Sequence, residues 1–271
     1  MRLSRRRFVA LLGAACAGLL ADSLLIEPAL SLEVSHVELR LRVEGPLRVL
    51  HITDLHFVGG PLTPIYQASL DAARAAGPDL IAVTGDLIST AGGARQALDF
   101  VSKLASLAPV YVVPGNWEYW SLGEGGVEGF LSEMEGLGRV RALVNDSEEF
   151  GGVQLVGVDD PHLLRSDLSL ALARAGRGPR VLLAHSPEVI GEAAGRVDAV
   201  LAGHTHGGQV ALPLIGPLYV PVRAEYRKYA SGLFLERGTY MYVCRGVGTS
   251  LVPVRLMCRP EVAVVDLAPS G

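Results

Sequence analysis

Short apolar segments that end abruptly in an acid, an amide or an imidazole recur along this chain of 271 residues, and they constrain its fold more than any other feature. "HITDLH" ends in Asp54 and His56, "VTGDL" in Asp86, "PGNWE" in Asn116, "LLAHSP" in His185 and "LAGHTHGGQ" in His204 and His206. An apolar run of this length bounded by turn residues is a strand buried on both faces. Strands are predicted over 34–43, 47–52, 79–84, 109–113, 153–158, 180–184 and 198–202, with helices over 64–76, 94–107, 124–137, 166–175 and 187–194. Strands alternating with helices predict an α/β fold. After residue 206 the helical pattern stops, and 240–244, 253–258 and 261–267 are predicted to close the structure as strands.

Loops at the carboxyl ends of strands are where open α/β sheets place ligands. Gly85, Gly115 and Gly203 precede polar residues of the set and allow tight turns that aim them inward. Taken singly, each residue has a structural explanation: Asp54 as a helix cap, Asn116 as a turn former, a histidine as a satisfied core residue. As an ordered set, two carboxylates, one amide and four of the seven histidines form a candidate ligand shell. If Asp86 bridges, two metals gain four protein ligands each. Two divalent ions, two carboxylates and one hydroxide leave a net positive site, which attracts phosphate. Mixed imidazole and carboxylate suits Mn, Zn or Fe better than Ca or Mg.

Composition sets the outer limits. Hydrophobic residues make up 49% of the chain and charged residues 19%, enough apolar mass for a substantial core and too little charge for general disorder. A net charge of −4 argues against a nucleic-acid partner held by bulk charge. Cys244 and Cys258 lie in apolar runs, as two buried thiols or as a pair in an exported protein.

Residues 1–31 form a leader and 32–271 the folded domain. The leader carries Ser4-Arg5-Arg6-Arg7-Phe8 and then an apolar run to Ile26 broken only by Asp22. This is signal-peptide architecture and resembles a twin-arginine signal. It is also near the length that spans a bilayer as an anchor. The expectation is an exported or inner-membrane-attached protein with its domain on the periplasmic or extracellular side; if the segment only anchors, the domain could instead face the cytosol.

The motif series D-x-H, G-D, G-N-x-E, H and G-H-T-H resembles the calcineurin-like metallophosphoesterase superfamily over about residues 46–267. That resemblance implies a two-sheet β-sandwich flanked by helices. It implies one metal on Asp54, His56, Asp86 and His206 and another on Asp86, Asn116, His185 and His204. It implies hydrolysis of a phosphoester or phosphoanhydride by metal-bound hydroxide, with Asp86 and Asn116 in the catalytic centre. "GHTHGGQVALP", "YRKYASGLF" and the C-terminal segment from Arg245 are similar to an exported or membrane-attached bacterial branch, some of whose members are UDP-2,3-diacylglucosamine pyrophosphatases of lipid A synthesis.

One position departs from the family pattern. Its usual His after the motif Asn, which stabilises the transition state or protonates the leaving oxygen, is replaced by Trp117. An indole N–H donates a hydrogen bond but cannot shuttle a proton at neutral pH. Three outcomes follow: a hydrolase biased toward good leaving groups or using Glu118 or His162 as a substitute acid; an enzyme for lipid-linked or nucleotide-sugar diphosphates on which Trp117 stacks; or a metal-binding pseudoenzyme. The segment "ALPLIGPLYVPV" (211–222), read as an apolar rim or a buried connector, and the nearby Arg223, Arg227 and Lys228 are the remaining substrate signals for a phosphate-bearing small molecule or lipid.

Overall fold

The computed structural model describes residues 5–270. The strands, in chain order, are β1 (Glu33–Leu41), β2 (Leu47–Ile52), β3 (Leu80–Thr84), β4 (Val110–Val113), β5 (Val140–Ala142), β6 (Asp146–Phe150), β7 (Val153–Gly157), β8 (Arg180–Leu183), β9 (Ala199–Ala202), β10 (Ala211–Leu212), β11 (Gly216–Pro217), β12 (Gly232–Glu236), β13 (Thr239–Val243) and β14 (Glu261–Pro269). Two six-stranded sheets form, ordered β1-β14-β2-β3-β4-β5 and β12-β13-β9-β8-β7-β6. Each is mixed: β2 to β5 and β7 to β9 run parallel, while β14 pairs antiparallel with β2 and β6 with β7.

The sheets pack face to face through Val49, Leu80, Tyr111 and Val265 on one side and Leu155, Val181, Leu201 and Tyr242 on the other. Helices cover both outer faces. The first sheet carries α2 (Pro64–Ala76), α3 (Ala94–Ala105) and α5 (Glu124–Glu135), with α4 (Asn116–Leu122) ahead of α5. The second carries α6 (Leu168–Arg174) and the short α7 (Ile190–Ala193). With both faces covered, the central strands are buried along their whole length, which is why they read as unbroken apolar runs. The expected helix-flanked α/β sandwich is the observed fold. α1 (Arg5–Leu30) stands apart, long and apolar enough to cross a membrane by length and composition. Ser4, the first residue of the twin-arginine-like motif, lies outside the described residues.

Three segments differ from expectation. Asn116 opens a helix rather than a turn. Glu118, in the third helical position, reaches back to accept the Gly115 N–H at 2.8 Å, a capping arrangement that the Pro-Gly break concealed. The polar β6, "DSEEF", is an edge strand paired only with β7, and its low β-propensity hid it. Residues 253–258 are not a strand. They wrap the Arg255 side chain, which is fully buried and donates to the carbonyls of Arg245, Gly246, Gly248 and Cys258. Cys244 and Cys258 are both buried and unpaired thiols.

Removing this buried arginine strips the carbonyls of Arg245, Gly248 and Cys258 of their donor and takes a partner from His206 Nδ1. Arg255→Met is therefore expected to destabilise the fold by about 3–5 kcal/mol. Equilibrium urea unfolding checks this; a loss under ~1 kcal/mol would mean that the loop does not depend on the guanidinium.

Candidate metal centre

The seven polar residues singled out at strand ends converge at one end of the sandwich, between the two sheets. Asp54 and His56 follow β2, Asp86 follows β3, Asn116 follows β4, His185 follows β8, and His204 and His206 follow β9. All seven are buried. Asp54, His56 and His206 form one cluster with ligand atoms in reach of a single ion, and Asp86, His185 and His204 form a second. Asp86 Oδ2 lies between them, 3.1 Å from His185 Nε2 and 3.6 Å from His56 Nε2. Its other oxygen accepts the Trp117 backbone N–H at 2.9 Å. That leaves Oδ2 as the atom presented to both clusters.

The outer partners decide which imidazole nitrogen faces inward. His185 Nδ1 sits 2.8 Å from the Thr84 carbonyl, so its N–H donates there and Nε2 faces Asp86. His204 Nε2 donates to the Pro221 carbonyl at 2.7 Å, leaving Nδ1 inward. His56 Nδ1 meets Ser89 Oγ at 2.9 Å, leaving Nε2 inward. Inward nitrogens then meet in pairs: His56 Nε2 and His206 Nε2 at 3.0 Å, His204 Nδ1 and His185 Nε2 at 3.0 Å. Burial lowers the pKa of His204 to about 3 and that of His56 to about 4, so both offer lone pairs at neutral pH. Burial would raise Asp86, but the facing His185 and His56 outweigh it and hold the carboxyl below its usual range.

Two buried acceptors aimed at this place, Asp54 Oδ1 and Asn116 Oδ1, have no hydrogen-bond partner. Orphaned oxygens beside paired imidazole lone pairs are the signature of a site built for cations. The donor set of oxygen and nitrogen therefore fits two divalent ions, with Asp86 positioned between them.

The backbone is bent to achieve this. Asp54, His56, Asp86, His204 and His206 all have positive φ, between 51° and 71°. Non-glycine residues in this region are strained by about 1 kcal/mol or more each. The glycines act differently from expectation at two places. Gly115 and Gly203 are needed for close approach rather than for positive φ. A Cβ at Gly115 would lie 2.4 Å from Asp86 Oδ1, and one at Gly203 2.1 Å from Thr53 Oγ1.

Trp117 lines a cavity of about 390 Å³ together with Asp86, Asn116, His162 and His204. Its ring lies edge-on to His56 at 5.5 Å and to Trp120 at 5.4 Å. The two candidate substitute acids part company. Glu118 faces away from the cavity and accepts the backbone N–H groups of Asp86, Leu87, Ile88 and Gly115. Burial and the Asp86 charge push it up to about 8, but its oxygens are taken up in fixing the Asp86 loop. His162 faces the cavity. Its ring stacks on His204 at 4.5 Å, Nδ1 is 3.4 Å from Glu188, and that carboxylate raises its pKa. Asp160 sets the loop by accepting the N–H groups of His162 and Leu163. Sequence reasoning missed the roles of Thr53, which donates to Asp54 Oδ2 at 2.8 Å, and of the Pro221 carbonyl. A carbonyl carries no side-chain signal.

Residues 47–208 match the family described as calcineurin-like phosphoesterase. Phosphodiesterase YaeI of Escherichia coli K12 is 31% identical over 235 residues, 82% of this chain and 83% of that protein. The uncharacterized metallophosphoesterase YkuE of Bacillus subtilis is 29% identical over 70% of this chain and 68% of its own length. A metallophosphoesterase of Helicobacter pylori is 29% identical over 85% of this chain, which spans only 62% of that longer relative.

Asp86→Asn keeps the shape and tolerates positive φ but removes the charge between the clusters. Metal content of the folded, Mn-loaded protein, read by elemental mass spectrometry, is expected to fall from two ions per chain to one or fewer. Retention of two would remove Asp86 from the shared position.

Proposed function

The chain belongs to the calcineurin-like phosphoesterase family and is a metal-dependent phosphoester hydrolase, and from that premise we propose that it cleaves phosphodiesters or phosphoanhydrides whose leaving group needs little protonation. The observation that supports this is Trp117, whose indole lines the cavity over His56 where the family pattern has an imidazole. Asp54, His56, Asp86 and His206 would hold one ion and Asp86, Asn116, His185 and His204 the other. When bound, such a pair supplies Lewis-acid activation of water and neutralises phosphoryl charge. The chain's own groups do the rest. Asp86 is oriented by the Trp117 N–H, and His185 and His204 by their carbonyl partners. Trp117 and Trp120 line the cavity together with Arg223 and Arg227.

His162 is the cavity imidazole left to donate to a leaving oxygen. It is held by Glu188 and stacked on His204, but it sits on a different loop from the replaced residue. Losing a general acid costs about 10²–10⁴ in rate, and the cost falls mainly on alkyl leaving groups. Aryl phosphates and phosphoanhydrides leave as stable anions and escape it.

The exposed side chains of Leu214, Ile215 and Leu218 favour a second reading, a lipid-linked substrate such as the diphosphate of UDP-2,3-diacylglucosamine. If α1 exports the domain, a periplasmic or surface phosphoester is favoured over that cytoplasmic precursor; if α1 only anchors it, the domain can face the cytosol, and the lipid-linked reading then gains weight.

Turnover of a leaving-group series with Mn or Zn tests this: nitrophenyl phosphodiesters and diphosphates are expected to react and dialkyl phosphodiesters to lag by at least ~10²-fold. Trp117→His should raise the alkyl rate by about 10-fold or more while leaving the aryl rate within ~3-fold. Failure on every substrate with both ions bound would make the protein a phosphate-recognising pseudoenzyme. Trp117→His/His162→Ala compared with each single change reads whether His162 donates. If His162→Ala lowers alkyl and aryl rates equally, it does not.

A further inference from the structure

Residues 211–222 hold neither a buried connector nor a closed lid. β10 and β11 form a small hairpin whose tip places Leu214 and Ile215 in solvent, followed by exposed Leu218 and Tyr219. Beside it the loop after β13 exposes Leu251, Val252 and Met257. The two segments are joined. Val210 bridges Leu256, and the Gln209 side chain donates to the carbonyls of Val252 and Val254 while accepting the Ser250 N–H. Leu218, Tyr219, Leu251 and Val252 together line an apolar cavity of about 320 Å³. That cavity shares Tyr219, Pro221, Ser250 and Leu251 with the metal cavity, so a continuous apolar path leads from the hairpin to the candidate metals.

Large exposed apolar patches on a soluble surface mark a partner. A second observation concerns how these side chains are held. Leu214, Leu251 and Met257 have φ of 67°, 61° and 53°. A loop that needed only to turn would place Gly or Asn there. A leucine kept in a strained conformation and in water is explained by what it reaches, not by the turn.

The base of α1 identifies that partner. The Ser23 carbonyl accepts the Arg255 N–H at 3.0 Å, and the buried Glu27 carboxylate accepts the N–H groups of Met257 and Cys258. The one described helix long and apolar enough to cross a membrane is therefore clamped to the same loop that carries Leu251, Val252 and Met257. Leu24, Leu25 and Ile26 at its base are exposed as well.

We propose that the hairpin tip and the 250–257 loop seat the domain on the bilayer that α1 enters, burying their apolar side chains in its interfacial layer. The metal cavity then opens along the lipid surface, with Arg223 and Arg227 beside it to meet phosphate. Soluble and lipid-borne phosphates share the same reacting group, and the seating selects the lipid-borne ones. This selection rests on the phosphoesterase reading above, whereas the seating itself does not.

The test uses the full chain in phosphatidylcholine vesicles. A polarity-sensitive label at Ile215→Cys, in a Cys16→Ser background where the other two thiols are buried, is expected to shift to the blue. Lipids bearing a nitroxide on the acyl chain should quench it at least twofold. The same label at Glu149→Cys, on β6, should do neither. A label at 215 no better quenched than at 149 overturns the proposal, and so does quenching that vanishes as protein is diluted within the membrane, which would assign the patch to a second copy. Leu214→Glu/Ile215→Glu should lower kcat/KM about 10-fold on a dioleoylglycerol nitrophenyl phosphodiester in vesicles while leaving a soluble nitrophenyl diester unchanged. Equal loss on both would assign the hairpin to catalysis and overturn the seating. If the unaltered protein hydrolyses neither substrate, the hydrolase reading fails and the quenching result still decides the seating.

Discussion

Two pairs of imidazole nitrogens approach to 3.0 Å on either side of one carboxylate oxygen, and the architecture is organised around holding them there. Nitrogens and carboxylate oxygens buried this close together need positive charge among them, from a bound cation or from protons. The sandwich provides the rigid floor: β2, β3 and β4 from one sheet and β8 and β9 from the other end at the same level, so each ligand needs only a short loop. The outer partners Thr84, Pro221, Ser89 and Arg255 then hold the four rings in place. Glu118 does the same for the backbone, drawing four N–H groups around its carboxylate so that the Asp86 loop cannot relax outward.

This division of labour explains how an indole can occupy position 117 without disturbing the centre. The residue's fixed duty is carried by its backbone, whose N–H orients Asp86. Any residue but proline can supply that N–H. The side chain is left facing the cavity, where its identity bears on proton supply and shape rather than on the geometry of the clusters. Trp117 and Trp120 together make that wall broad and apolar.

The convergence of the seven polar residues was legible in the sequence because their types are scarce and each follows a buried strand, so chemistry and position coincide. The long helices were legible from their apolar periodicity. The N-terminus of α4 was not, because Pro114-Gly115 reads as a stop while the Glu118 that caps the helix reads as a loose acid. Residues 253–258 alternate like a strand, yet Arg255 turns inward to collect carbonyls, and only tertiary structure shows which carbonyls converge there. The positive φ of the ligand residues was equally hidden, since histidine and aspartate carry no local preference strong enough to announce it. The elimination of Glu118 and retention of His162 as cavity-facing groups depended on where two loops, distant in sequence, come to rest.

The strained ligands have a consequence for substitution. Five of the seven residues sit where glycine or asparagine would be more comfortable. Only glycine or asparagine would relax the backbone at those positions; most other residues would strain it further. A glycine there would ease the backbone but remove the side chain that the cluster is built from. The strain is accepted at all five positions because the side chains they carry, rather than the backbone, assemble the two clusters.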